Sequence, residues 1–158
     1  MVNRLMAEKG VDAALDGLRA FLDSADLAIR DHVRCLIVGA GKLGSQTERR
    51  ILGRRVDPYC TLLGEADEVN LARLLGLSDI FLYTSVRGIN SMAAHEALDQ
   101  GCAVVASIVP EVIARYLDQG RRNPISPHDP QAIRDALLCL VNDGALRRAP
   151  GRATMWPP

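Results

Sequence analysis

A turn that could hold phosphate stands between two apolar runs near the middle of the chain. Gly88-Ile89-Asn90-Ser91 follows the run Ile80-Phe81-Leu82-Tyr83 and precedes Met92 to Gln100, a good helix sequence. Asn90 or Ser91 can cap that helix. Amides at a helix start, aimed at a cleft beyond a strand's carboxyl end, form a natural anion site. One carboxylate, Glu96, sits inside the helix. A phosphate-bearing ligand is therefore the first chemistry to expect. A second glycine string, Gly39-Ala40-Gly41-Lys42-Leu43-Gly44, spells GxGxxG after one strand and before a helix. That spacing is the dinucleotide fingerprint, so an NAD(P)-binding domain stands as a rival. Glu65, just past the following strand, could serve it as the ribose-binding acid. Against the rival, a helix and a basic segment precede this strand, whereas the fingerprint usually opens its domain.

The elements that must position these groups alternate. Val11, Leu15, Leu18 and Leu22 recur at helical spacing, which predicts a helix over 11–22. Val33 to Val38 reads as a strand, Ser45 to Leu52 as a basic-faced helix, and Tyr59 to Leu63 as a strand after the Asp57-Pro58 turn. Glu68 to Leu75 reads as a short helix. The strand Ile80 to Tyr83, the helix from Met92 and the strand Cys102 to Ala106 follow, and Gly101 ends the helix between them. Glu111 to Leu117 reads as a helix and Gln119 to Asp129 as a loop rich in Gly, Pro and Arg. Pro130 opens a last helix whose apolar face is Ile133, Leu137, Leu140 and Val141. Strands alternating with helices predict a single doubly wound α/β domain, a parallel sheet covered on both faces.

Composition narrows the function classes. The 158 residues suit one domain with a real core. Lys plus Arg and Asp plus Glu both number 19, so no net charge draws the chain to nucleic acid or anionic membrane. With three Tyr and one Trp, no stacking ladder for nucleic acid is visible. No apolar run is long enough for a membrane span, and Glu8, Lys9 and Asp12 interrupt any signal-peptide core. Cys35, Cys60, Cys102 and Cys139 are scattered without a CxxC pair. They read as buried thiols in a reducing, cytoplasmic compartment rather than as metal ligands or disulfides. His32, His95 and His128 form no evident catalytic pair.

The ordered set of motifs resembles the donor-binding, C-terminal half of the family 4, or group 1, retaining glycosyltransferases of two-lobed GT-B architecture. Ser78-Asp79-Ile80-Phe81-Leu82, His95-Glu96-Ala97-Leu98, Gly101 and Ala103-Val104-Val105-Ala106-Ser107 follow the family pattern. So do Arg4-Leu5-Met6-Ala7-Glu8-Lys9-Gly10, Leu36-Ile37-Val38-Gly39-Ala40-Gly41, Asn123-Pro124-Ile125 with His128-Asp129-Pro130, and Asp143-Gly144-Ala145-Leu146-Arg147-Arg148. The resemblance implies a domain over 1–148, with its first strand clipped before Arg4, and a disordered tail over 149–158. It implies that Arg4 and Lys9 grip the diphosphate of a nucleotide sugar, such as a UDP- or GDP-sugar. The amides of Gly88, Ile89, Asn90 and Ser91 could hold phosphate beside them, and Glu96 would bind the donor ribose. No metal or cofactor is implied. The partner would be an acceptor lobe, in the same chain or another, through which peripheral membrane association stays open.

One departure bears on activity. The family motif sets two glutamates with seven residues between them. Counting back from Glu96 lands on Gly88, beside Arg87, and neither is acidic. A cation there would oppose the positive charge of an oxocarbenium-like state. Impaired transfer follows, and the chain alone is expected to be inactive because half the cleft is absent. A noncatalytic interaction module on the same fold remains the second alternative.

Overall fold

The computed structural model describes residues 1–2, 5–85, 92–106 and 129–147. A 3-10 turn, Ala7–Lys9, leads into α1, Val11–Ser24, and a short α2, Leu27–Arg30. Then β1, Cys35–Val38, α3, Gly44–Gly53, β2, Cys60–Gly64, and α4, Glu68–Gly76, alternate. They are followed by β3, Ile80–Tyr83, α5, Met92–Asp99, β4, Ala103–Ala106, α6, Pro130–Asn142, and α7, Gly144–Arg147.

All the strand pairing is parallel. Among the described residues β1 pairs β2 and β3 pairs β4, with Cys35 opposite Cys60 and Ile80 opposite Ala103. Val2 forms an isolated parallel bridge to Val38, and the Val38 amide donates to the Met1 carbonyl at 2.9 Å. Val2 also packs against the apolar cluster of β3 and β4. The N-terminal residues thus run alongside β1 on the side away from β2.

Side chains alternate across β3 and β4 with the period of two that a strand imposes. Phe81, Tyr83, Val104 and Ala106 join Leu75, Ala94, Ala97 and Leu98 in a cluster with α4 and α5. Ile80, Leu82, Ala103 and Val105 face the other way, against α1 and α6. Helices therefore lie on both faces of the β3–β4 pair, and among the described residues the strands form two two-stranded parallel sheets, β1–β2 and β3–β4. The α1–α6 contact is close because Gly17 has no side chain: a Cβ there would lie 2.4 Å from Ile133 Cγ2.

Element boundaries expected from the sequence fall within two residues of those observed, and the difference at β1 has a local cause. The strand expected over 33–38 starts only at Cys35, because the Val33 amide closes a turn on the Arg30 carbonyl after α2. Cover is also incomplete at β2, where Thr61 and Leu63 are exposed. Among the described residues β2 pairs only with β1, so it forms an edge. Asp129 caps α6 by accepting from the Gln131 and Ala132 amides, with Pro130 at the first helical position. The Arg147 guanidinium turns back onto the carbonyls of Leu140 and Val141 at 2.9 and 3.1 Å, closing the end of α6. The helix expected over 111–117, the loop expected over 119–128 and the tail over 149–158 lie outside the described residues.

Candidate functional site

The carboxyl end of β3 is where the candidate residues meet the scaffold. Thr84 and Ser85 follow the strand directly and are 2% and 0% exposed. Both side chains reach the segment that carries Lys9. The Thr84 hydroxyl donates to the Gly10 carbonyl at 2.8 Å and lies 3.3 Å from the Lys9 carbonyl. The Ser85 hydroxyl donates to the Glu8 carbonyl at 3.2 Å. The 3-10 turn is closed from within by the Lys9 amide, which donates to the Met6 carbonyl at 3.0 Å.

Gly10 makes this approach feasible. Its φ of 66° is left-handed, and a Cβ on it would lie 1.9 Å from the Thr84 carbonyl oxygen. Only a residue without a side chain fits both demands. Lys9, half-buried, is thereby held beside the end of β3.

Glu96 stands in α5, the helix that follows the same strand. Ala94, Ala97 and Leu98 form the buried face of α5, and Glu96 is half-buried next to that face. Its backbone carbonyl is used within the helix, by the Gln100 amide at 3.0 Å, which leaves the carboxylate as the group available for ligand chemistry. Of the other expected site residues, Arg4, Gly88, Ile89, Asn90 and Ser91 lie outside the described residues, as does Arg87. The structure therefore ties Lys9 to the β3 end and places Glu96 in the next helix.

The glycine string of the rival reading has a different occupant. Leu5, 1% exposed, runs across it: the Leu5 amide donates to the Ala40 carbonyl at 3.0 Å and the Leu43 amide donates to the Leu5 carbonyl at 3.2 Å. A Cβ on Gly41 would lie 2.5 Å from the Leu5 carbonyl oxygen and 2.9 Å from its nitrogen. In the dinucleotide fingerprint the central glycine lets a pyrophosphate approach the backbone. Here the chain's own backbone takes that place, and no specific observation favours NAD(P).

Two residues that sequence reasoning passed over are the hydroxyls of Thr84 and Ser85. Their signal was available: two short polar side chains stand directly after an apolar strand. Their partners, Glu8 to Gly10, lie more than seventy positions away, which no local pattern reports.

The four cysteines are free thiols; Cys60 and Cys102 are buried as expected, whereas Cys35 and Cys139 are only half-buried. Cys35 and Cys60 are register partners on adjacent strands. The Cys60 thiol donates a hydrogen bond that stabilises the Cys35 thiolate, which brings Cys35 down to about 7 and pushes Cys60 up. Burial raises Cys102, whose thiol contacts the Leu75 and Ser78 carbonyls at 3.2 and 3.3 Å. Among the described residues no group of three or more His, Cys, Asp or Glu could hold a metal ion. No helix among them is long and apolar enough to cross a membrane.

Comparison with known proteins places these features in a family and a fold. The family model described as glycosyl transferases group 1 matches residues 1–143. The S. aureus TarM structure in complex with fondaparinux, alpha-GlcNAc-glycerol and UDP superposes with a TM-score of 0.77 at 18% identity. It covers 93% of this chain and 29% of that one. The E. coli trehalose-6-phosphate structure bound with UDP-2-fluoro glucose gives 0.76 at 16% identity, covering 93% and 36%. A 94-residue stretch is 29% identical to the phenylalanine–tRNA ligase beta subunit of Oleidesulfovibrio alaskensis, over 60% of this chain but 12% of that protein. The chain thus spans only 12% to 36% of the length of these three proteins. The two structural likenesses establish a Rossmann-like α/β fold, that of one lobe of a GT-B glycosyltransferase.

Proposed function

Because the chain belongs to the group 1 glycosyl transferases, we propose that it is the donor-binding lobe of a retaining, two-lobed enzyme. Residues 1–148 form that domain. It holds the nucleoside diphosphate of a nucleotide sugar at the carboxyl ends of β3 and β4. Lys9 and Arg4 neutralise the diphosphate, the turn over 88–91 offers amides, and Glu96 accepts from the ribose hydroxyls. The observation that carries the reading is the fixed placement of Lys9 against the end of β3 by the Thr84 and Ser85 hydroxyls.

The chemistry suits that arrangement. Glycosyl transfer from such a donor releases a nucleoside diphosphate, and negative charge grows on it as the glycosidic bond breaks. Cations fixed in advance stabilise that charge without reorganising during the reaction. No residue of this chain is assigned as nucleophile. The acceptor groups belong to the other lobe, so this lobe binds donor and, alone, does not hold the reacting atoms in line. Uridine is the first base to test, since two structural neighbours hold UDP or a UDP-sugar. A cytoplasmic location is part of this reading, supported by the scattered cysteines, which suit a reducing compartment.

The test is a melting-temperature titration with UDP, GDP and NAD. A ligand at 100 times its Kd stabilises by about 2.7 kcal/mol, a shift of several degrees. A rise with a nucleoside diphosphate and none with NAD is expected. A rise with NAD alone would return the glycine string to the centre of the function.

A further inference from the structure

We infer that Thr84 is a positioning residue for the donor diphosphate: its buried hydroxyl sets the turn that aims Lys9. This rests on the donor-lobe reading, in which Lys9 meets the diphosphate. Thr84 follows β3 without a gap, so the strand fixes its backbone. Its hydroxyl meets the last two carbonyls of the Lys9 segment, at 2.8 Å on Gly10 and 3.3 Å on Lys9. A hydroxyl has one hydrogen, so the Gly10 carbonyl takes the better bond and the Lys9 carbonyl shares it. Ser85 meets the carbonyl before them, on Glu8. Three consecutive carbonyls are thus answered by two neighbouring side chains of the strand end. Of the three, the Gly10 carbonyl also accepts the first bond of α1, from the Ala14 amide at 3.0 Å, whereas carbonyls at the end of a helical turn lack a partner within the turn.

The consequence is directional. The 3-10 turn has one internal bond and leads directly into α1, where the Gly10 carbonyl accepts from the Ala14 amide. Anchoring the Glu8, Lys9 and Gly10 carbonyls to the strand end adds a further constraint on its orientation. The direction of the Lys9 Cα–Cβ bond is then set before any ligand arrives. A long, flexible Lys side chain pays rotamer entropy when it engages an anion. Fixing its root lowers the number of arrangements it must search. Val at position 84 keeps the branched shape but removes the hydrogen: the Lys9 carbonyl loses its donor, and the Gly10 carbonyl keeps only the Ala14 amide, at 3.0 Å.

The experiment compares UDP with uridine, and GDP with guanosine, on this chain, by NMR titration. The ratio of diphosphate to nucleoside affinity isolates the phosphate contribution. Lys9→Ala should lower that ratio about tenfold or more. Thr84→Val should lower it roughly threefold to tenfold with nucleoside affinity unchanged, and Thr84→Ser should restore it to within about twofold. The double variant should lose no more than Lys9→Ala alone, because Thr84 acts through Lys9. Ser85→Ala should shift the ratio in the same direction, and it serves if Thr84→Val does not fold. A purely structural role would lower the melting temperature, or weaken diphosphate and nucleoside together, without moving the ratio. An unchanged ratio in Thr84→Val or Ser85→Ala, with the loss present in Lys9→Ala, overturns the inference and leaves the donor reading standing. No loss in Lys9→Ala, or no binding of either diphosphate, overturns the donor reading and this inference with it.

Discussion

Replacing Gly10 by alanine tests whether the Lys9 turn and the end of β3 are as tightly joined as their geometry says. Two costs add. The left-handed backbone at φ 66° penalises any residue with a Cβ, by about 1–2 kcal/mol. The new Cβ would also lie 1.9 Å from the Thr84 carbonyl oxygen and 2.8 Å from its carbon. Both are backbone atoms, so no side chain can rotate away. The segments must part by about 1 Å, an overpacking cost of roughly 1–3 kcal/mol. Together these give about 2–5 kcal/mol, a large share of a stability of about 5–15 kcal/mol. With a urea slope of about 2 kcal/mol/M, the unfolding midpoint should fall by about 1–2.5 M. Gly53 is the control: a Cβ there meets nothing within 4 Å. Gly53→Ala should leave the midpoint unchanged or raise it slightly, since it gains helix propensity. Urea unfolding of the two variants beside the parent, followed by circular dichroism, decides the matter. A Gly10→Ala midpoint within about 0.3 M of the parent would refute the close approach and the rigid turn it implies.

Three further outcomes are expected. Glu96→Gln should weaken uridine and UDP by the same factor, because ribose is common to both; a loss confined to UDP would place the carboxylate elsewhere. Cys35, held at about 7 by the Cys60 hydrogen bond, should be alkylated at a rate that rises as pH passes through 7 and levels above it. In Cys60→Ala that rise should move to higher pH, because the donor to the thiolate is gone; peptide mapping at several pH values reads both effects. Arg54 joins Asp16 at 2.6 Å and Asp12 at 3.2 Å, with Arg50 on Asp12 at 2.9 Å, all partly exposed. Arg54→Met should cost only about 0.5–1 kcal/mol and lose most of that in 1 M salt, as surface pairs do; a larger, salt-independent loss in urea unfolding would show a buried role instead.

Much of the fold could be read from local pattern, because the pattern is what the fold obeys. The run Ile80 to Tyr83 becomes β3 with the same ends, since no residue in it can leave a strand buried on both faces without cost. Pro130 after Asp129 fixes the start of α6, because a missing amide and a capping carboxylate both belong there. Local pattern fails where a turn competes with a strand. Val33 is apolar and β-branched, yet its amide goes back to Arg30 and β1 starts two residues later. It fails also at Leu63, apolar but exposed on β2. Composition does not reveal which strand lies at an edge.

The candidate site divides the same way, and the division is physical. Glycine strings advertise backbone proximity, but not what comes close. Gly39 to Gly44 spelled a cofactor fingerprint, and the backbone that approaches Gly41 is that of Leu5. Leu5 stands next to Arg4 and four residues before Lys9. The string's central glycine seats Leu5, the residue after Arg4 and the start of the stretch that carries Lys9. Gly10 performs the matching task at the other end of that segment, against Thr84. Two glycines thus hold the ends of the Leu5–Gly10 stretch against two different parts of the scaffold. Lys9 lies between these anchors, one residue from the second. If the cations bind a diphosphate, Gly41→Ala should impair them as a pair, whereas Gly10→Ala should act mainly on Lys9. Separate alanine variants of Arg4 and Lys9, titrated with UDP in each glycine background, can tell the two apart. Equal effects of both glycine changes on both cations would mean that the segment moves as one body, and that the two anchors do not act separately.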